Sequence, residues 1–316
     1  MRKRILSLVV AGSLIMGALT GCGGTKQAIL PEELTVTYVT APLNVPSIVE
    51  KENDIFEETF KEMGIEIEYA ELTSGADQTQ ALASGDVQLL YAVGASSVIL
   101  SAANGADIKV LNMYSRSPEA FCMFGKDDTV VSPEELRGKT IAGPAGTNLH
   151  ELLAAYLAAA DMSMEDVNFV SMSIPEAKAA LDGGSVDAAL LAGATAYQAM
   201  QQGYYMIEDG KGLIDAPIVV AVTEEFYNKY PEIIEKFTEA QEKIVAYMEE
   251  NPDEALRMTA EELDLTVEAV TEMYEYYNFF LEITEEDKKG LQNTADFMVE
   301  SGMIEQAFDV NQLFWE

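Results

Sequence analysis

The chain has 316 residues, with 54 Asp and Glu against 19 Lys and Arg, for a net charge of −35. That length suits two domains or one large one, and so acidic a chain offers no basic surface for nucleic acid. The acids are spread over predicted helix faces, where they keep the surface soluble and can steer a basic partner.

Arg2, Lys3 and Arg4 precede an apolar run, Ile5 to Leu19, of signal-peptide length and too short to span a bilayer comfortably. The run ends in Leu19-Thr20-Gly21-Cys22, which resembles the bacterial lipobox. In a lipobox the cysteine carries the lipid (palmitate among its acyl chains) and becomes the first mature residue. Residues 1–21 are then a signal peptide, Cys22 the lipidation site, and 22–32 a small, partly polar tether. Without Arg2, Lys3 and Arg4 the balance is 16 cations against 54 acids, or −38. No later segment is long and apolar enough to cross a membrane. The expected location is the extracytoplasmic face of the cell membrane, held by the lipid. Only Cys122 remains beside Cys22, so the mature domain has no internal disulfide. Its surroundings, FCMF, read as a buried strand with a core thiol.

In chain order, Thr35 to Thr40 is β-branched and alternating, a first strand. It enters a turn with two prolines, Ala41 to Pro46. A helix is expected from about Ser47 to Met63, stopped by Gly64. Ile65 to Ala70 is a second strand, and Ser74-Gly75-Ala76 opens a helix to Ala83. Val87 to Val93 is an apolar strand, and Gly94-Ala95-Ser96 opens the helix Ser97 to Ala103. Ile108 to Tyr114 and Phe121 to Phe124 are strands, and Ser132-Pro133-Glu134-Glu135 has the form of a capping box. Lys139 to Ala142 is a strand, Gly143 to Gly146 a turn, and Leu149 to Ala160 a helix capped by Thr147 or Asn148. From Thr223 onward the apolar spacing is helical. A new helix starts at Asn251-Pro252, and others run at about Val267 to Tyr277 and Glu285 to Ser301, the last capped by Thr284.

The alternation of strand and helix up to Leu191 predicts an α/β fold with parallel sheets covered on both faces. It also contains a repeat. Ala81-Leu82-x-x-Gly85-x-Val87 with Gly94-Ala95-Ser96 recurs 99 residues later as Ala180-Leu181-x-x-Gly184-x-Val186 with Gly193-Ala194-Thr195. Two lobes of similar plan follow. Each small-residue turn delivers a helix N-terminus whose free N–H groups suit an anion or a carbonyl-type acceptor.

Catalytic signatures are missing. The lone histidine stands in His150-Glu151-Leu152-Leu153-Ala154, which begins like HExxH without the second histidine. There is no GxSxG, Walker A or GxGxxG. No enzyme activity, metal or cofactor is expected.

The runs ALASGDVQLLYAVGASSVILSAANG, LRGKTIAGPAGTNLHELLAAYL and AALDGGSVDAALLAG resemble the nitrate/sulfonate/taurine/thiamine-precursor group of ABC-transporter substrate-binding proteins. The resemblance spans about Leu34 to Gly302. It departs at Gln88, where the family usually has Asp; the second copy keeps Asp187. It implies a two-lobed type II periplasmic-binding-protein fold, each lobe a mostly parallel sheet flanked by helices. Extra C-terminal helices would pack on lobe one. Lobe one would comprise 33–118 and 220–316, and lobe two 119–219, joined by a two-strand hinge.

A small polar solute would bind in the cleft at the strand ends. The candidate contacts are Asn44, Ser74, Gln78, Ser96, Ser97, Tyr114, Ser115 and Arg116 from lobe one, and Gly146, Thr147, Asn148, Thr195 and Tyr197 from lobe two. Arg116 is singled out as the only cation in these turns, with Glu119 as its alternative partner. The thiamine-precursor branch typically has a tryptophan and Pro-Asn in the first turn. YVTAPLNVPS lacks both, which points to a sulfonate- or nitrate-like anion, with vitamin ligands open. The implied partners are ABC permease subunits, with the protein itself a monomer. A sensor role, or an enzyme on the same fold, are the alternatives.

Overall fold

A computed structural model describes residues 29–72 and 74–315. Cys22 and the segment before it lie outside the described residues. Among those described, no helix is long and apolar enough to cross a membrane.

Two five-stranded sheets carry the fold. The first is built from β1 (Glu33–Thr37), β2 (Glu66–Ala70), β3 (Leu89–Gly94), β4 (Lys109–Arg116) and β10 (Pro217–Val222), in the order β2-β1-β3-β10-β4. The second is built from β5 (Phe121–Gly125), β6 (Thr140–Gly143), β7 (Asn168–Ser171), β8 (Ala188–Ala192) and β9 (Tyr205–Asp209), in the order β7-β6-β8-β5-β9. Each sheet is parallel but for its fourth member, β10 or β5, which runs antiparallel to both neighbours. The crossovers β4 to β5 and β9 to β10 bring those two opposed strands in, so each lobe is completed only after the chain has passed between lobes. β10 starts at Pro217, so the chain rejoins the first sheet slightly before the expected 220.

In the first lobe α1 (Val45–Glu52), α2 (Ile55–Lys61), α3 (Gly75–Ser84) and α4 (Ala95–Ala103) cover the sheet. The single helix expected over 47–63 is broken, because Asp54 takes a left-handed conformation at φ 50° between α1 and α2. In the second lobe α5 (Asn148–Ala158), α6 (Ile174–Gly183) and α7 (Gly193–Gln201) play the same part. α3 and α6 both end on a left-handed glycine, Gly85 at φ 82° and Gly184 at φ 71°, which is the physical content of the repeat. Pro133–Leu136 forms a short 3-10 turn without the side-chain cap expected of Ser132.

The tail runs through α8 (Glu224–Lys229), α9 (Pro231–Glu250), α10 (Pro252–Glu262), α11 (Val267–Tyr274) and α12 (Glu285–Glu300). Thr284 caps α12 in a full capping box with Asp287. α9 and α10 pack on α1 and α2, and α12 on α4, as expected of helices returning to lobe one. The tail also reaches lobe two, α11 against α7 and α12 against α5. β3, β8 and β10 are almost wholly buried, which is why they read as continuous apolar runs.

Candidate solute site between the lobes

Four turns leave the carboxyl ends of β1, β3, β6 and β8, and each opens a helix: α1, α4, α5 and α7. The turns meet in pairs across the seam. A Cβ placed on Gly193 would lie 1.9 Å from Pro42 O, so the β8 turn touches the β1 turn backbone to backbone. Ser96 Oγ lies 2.6 Å from Asn148 Oδ1, and Ser97 Oγ donates to Gly146 O at 3.2 Å, so the β3 turn faces the β6 turn. The β3 and β8 turns belong to the 99-residue repeat, and each faces the β6 or β1 turn of the other lobe. Helix N-termini facing one another across such a seam favour negative charge from both sides.

The anticipated residues divide into three groups. Ser96, Ser97, Gly146 and Asn148 are brought together at the seam. Asn44, Ser74 and Thr147 shape turns: Asn44 Nδ2 donates to Val39 O and Ala41 O, Ser74 caps α3 through Asp77 N, and Thr147 Oγ1 donates to Pro144 O. Gln78 and Ser115 are buried and keep an unpartnered oxygen, Oε1 and Oγ respectively, while Gln78 Nε2 donates to Leu72 O. Buried polar atoms of that kind call for a water or a solute. Thr195 is half-buried at the start of α7.

Three candidates are placed otherwise. Tyr114 is a core residue; its hydroxyl pairs with Ser47 Oγ at 2.8 Å and its ring packs edge-on to Tyr91. Tyr197 faces the tail, lining a cavity of about 20 Å³ with Met273 and Tyr276. Arg116 is a strut. Its Nε and Nη2 grip Asp287 at 2.5 and 2.6 Å, and Nη1 and Nη2 donate to Phe280 O and Glu282 O. Burial works against the Asp287 carboxylate, but hydrogen bonds from Arg116 and Thr284 prevail and hold it below the usual range. Glu119, the alternative partner, pairs with Lys211. Position in a turn looked like solvent access; the returning tail fills that access.

Glu151 is a seam residue that local sequence does not mark. It stands on the first turn of α5, 4% exposed, and reaches across the seam. Its Oε2 lies 2.8 Å from Ser96 Oγ, and Thr294 Oγ1 of α12 donates to Oε1 at 2.7 Å. Burial pushes its carboxyl up, against the pull of those hydroxyls, and Asp215 pushes the same way. The neighbouring His150 faces elsewhere: it stacks on Phe169 and its Nδ1 accepts from Gly146 N at 3.2 Å. Burial lowers its pKa, which suits that acceptor role and holds the β6 turn. The amphipathic pattern of α5 could have put Glu151 on an inner face, but nothing local reveals Thr294 opposite it. Cys122 is buried in β5, its thiol pushed up by burial to about 12, which suits a packing role.

A much larger groove, about 580 Å³, lies at the opposite end of the first sheet, lined by Gln88, Asp107, Phe226 and Tyr230 among others. None of the four turns contributes to it. Among the described residues there is no cluster of acids, His and Cys that could hold a metal.

The model of the family described as "NMT1/THI5 like" matches residues 57–255. The chain belongs to that family. It is 26% identical over 99% of its length to a putative aliphatic sulfonates-binding protein of Bacillus subtilis, covering 94% of that protein. It is 30% identical over 76% of its length to the taurine-binding periplasmic protein of Escherichia coli, covering 72% of it. Its fold matches that of the alkanesulfonate-binding protein SsuA of Xanthomonas axonopodis pv. citri, bound to MOPS, with a TM-score of 0.82 and 20% identity over 91% of this chain and 99% of that one. These relatives are binding proteins, and family and architecture agree with the resemblance read from the sequence.

Proposed function

We propose that this protein is the solute-binding component of an ABC importer and captures a small sulfonate between its two lobes. The observation that carries the reading is the meeting of four helix-opening turns from two separate sheets, with Ser96, Ser97, Gly146 and Asn148 face to face. Hydroxyls, amides and helix N-termini can hold an oxyanion without a dedicated cation. Residues near 118 and 217 would be the hinge, since the β4–β5 and β9–β10 crossovers are where the chain passes from one sheet to the other. Closure is then a hinge motion around the solute. Nothing in this role needs covalent chemistry. The protein would act as a monomer tethered through lipid on Cys22, beside its permease partners.

The test is titration calorimetry of the mature protein with taurine, short alkanesulfonates, nitrate and riboflavin. One-to-one binding of a sulfonate, with a higher melting temperature through mass action, is the expected result. Tight binding of riboflavin or nitrate with no sulfonate response would replace the reading.

A further inference from the structure

Glu151 poses a problem of proton counting. Ser96 Oγ has one hydrogen, yet it sits between two acceptors, Asn148 Oδ1 at 2.6 Å and Glu151 Oε2 at 2.8 Å. A proton on Glu151 Oε2 settles the count. Thr294 then donates to Oε1, Glu151 donates to Ser96, and Ser96 donates to Asn148 Oδ1. The alternative is to rotate the Asn148 amide and leave the carboxylate ionised. That would bury a negative charge in the seam, held by the Ser96 and Thr294 hydroxyls and the α5 N-terminus but by no cation. α4 carries no titratable group, and β5 and β8 carry only Cys122. Across the seam, α12 offers Thr294, while its Asp287 is occupied by Arg116. Asp215, beside Gly290 of α12, adds negative character. Lys289 of α12 draws the Asp215 carboxyl down, against the burial and the acids that push it up. On its own helix, His150 points away to Phe169. A buried carboxylate without a counter-charge is costly, so the group neutralises.

We propose that Glu151 is a positioning residue that ties the lobes together as a neutral carboxylic acid, so that joining the lobes takes up one proton from solvent. This rests on the reading that the lobes part and join around a solute. When they part, Glu151 loses Ser96 and Thr294, returns to water and releases the proton. A carboxyl whose value is higher in the joined state favours joining at low pH. That preference is full below the ordinary carboxylate range and is lost as pH rises through the joined-state value. The proton also orients Ser96 and Asn148, two of the seam residues, so Glu151 acts on the solute through them.

Small-angle scattering without added ligand, at about pH 5 and about pH 9, compares the native protein with Glu151→Gln. Glutamine keeps a donor and an acceptor in place of the neutral acid. The native protein should be more compact at the lower pH, and Glu151→Gln should be equally compact at both. Equal native radii of gyration, or a pH response retained in Glu151→Gln, overturns the proposal. Difference infrared spectroscopy at neutral pH reads the acid directly in the native protein. Glu50 is pushed by burial to about 8 and gives a second protonated-acid band, assigned with Glu50→Gln. A band left over for Glu151, removed by Glu151→Gln, supports the proposal; its absence overturns it. Taurine adds a third readout: its affinity should fall by up to about tenfold per pH unit between the ordinary carboxylate value and the joined-state value, level off above it, and stay flat in Glu151→Gln. If taurine fails to bind, the sulfonate reading fails, while scattering and infrared still decide the role of Glu151.

Discussion

Arg116 shows how a single residue changes meaning once the chain is folded. In sequence it is the one cation among the helix-opening turns, and an anion site is a natural use for it. Folded, its guanidinium spans the bidentate pair with Asp287 and two carbonyls of the segment leading into α12. A planar fork bonded at all three nitrogens serves as a brace between β4 and the tail. Arg116→Ala should therefore cost about 1–3 kcal/mol of stability in urea titration, because Asp287 stays largely buried and loses its counter-charge. Taurine affinity should change less than tenfold. A tenfold loss of affinity with stability intact would restore Arg116 as a ligand cation. Local sequence could not distinguish these roles, since Asp287 lies 171 positions away.

At the scale of elements, the repeat was the most legible feature. Gly85 and Gly184 end helices for the same reason, a left-handed residue that only glycine adopts without strain, and the strands that follow are apolar because both faces are covered. Gly193 looked like the counterpart of Gly94, a small residue opening a helix. The structure gives it a further task. It has φ 54°, and any side chain would run into the Pro42 carbonyl of the other lobe. Gly193→Ala should keep each lobe folded, with a cooperative melt lowered by a strain of about 1 kcal/mol. It should also hold the lobes apart, enlarging the radius of gyration and weakening taurine by about tenfold or more. An unchanged radius and affinity would mean that the turns yield to the methyl group. The helix expected over 47–63 failed at Asn53-Asp54, the end of a polar run from Glu50 to Asp54 that separates the apolar Ile48-Val49 from Ile55-Phe56.

For the whole molecule, the charge–apolar–Leu19-Thr20-Gly21-Cys22 order argues for a lipid anchor, and the acidic mature chain for a surface that stays in solution beside the membrane. Cys22→Ser should leave an unprocessed precursor without lipid, seen as loss of metabolic lipid labelling; normal labelling of that variant would remove the anchor from the reading. The amino-acid sequence by itself determined the α/β class, the paired plan, the glycine stops and the turns that line the seam, because each follows from backbone preference and hydrophobic period within a few residues. Only the tertiary structure decided that β10 and β5 enter their sheets antiparallel, since each is held between two strands, β3 and β4 or β8 and β9, that no local pattern names as its partners. It alone turned Arg116 from a cation for the solute into a brace, and Glu151 from an acid on a helix into the link between lobes. Both depend on α12, which reaches the seam from the far end of the chain. Charge and burial there are set by what packs across a gap, and no local pattern records that.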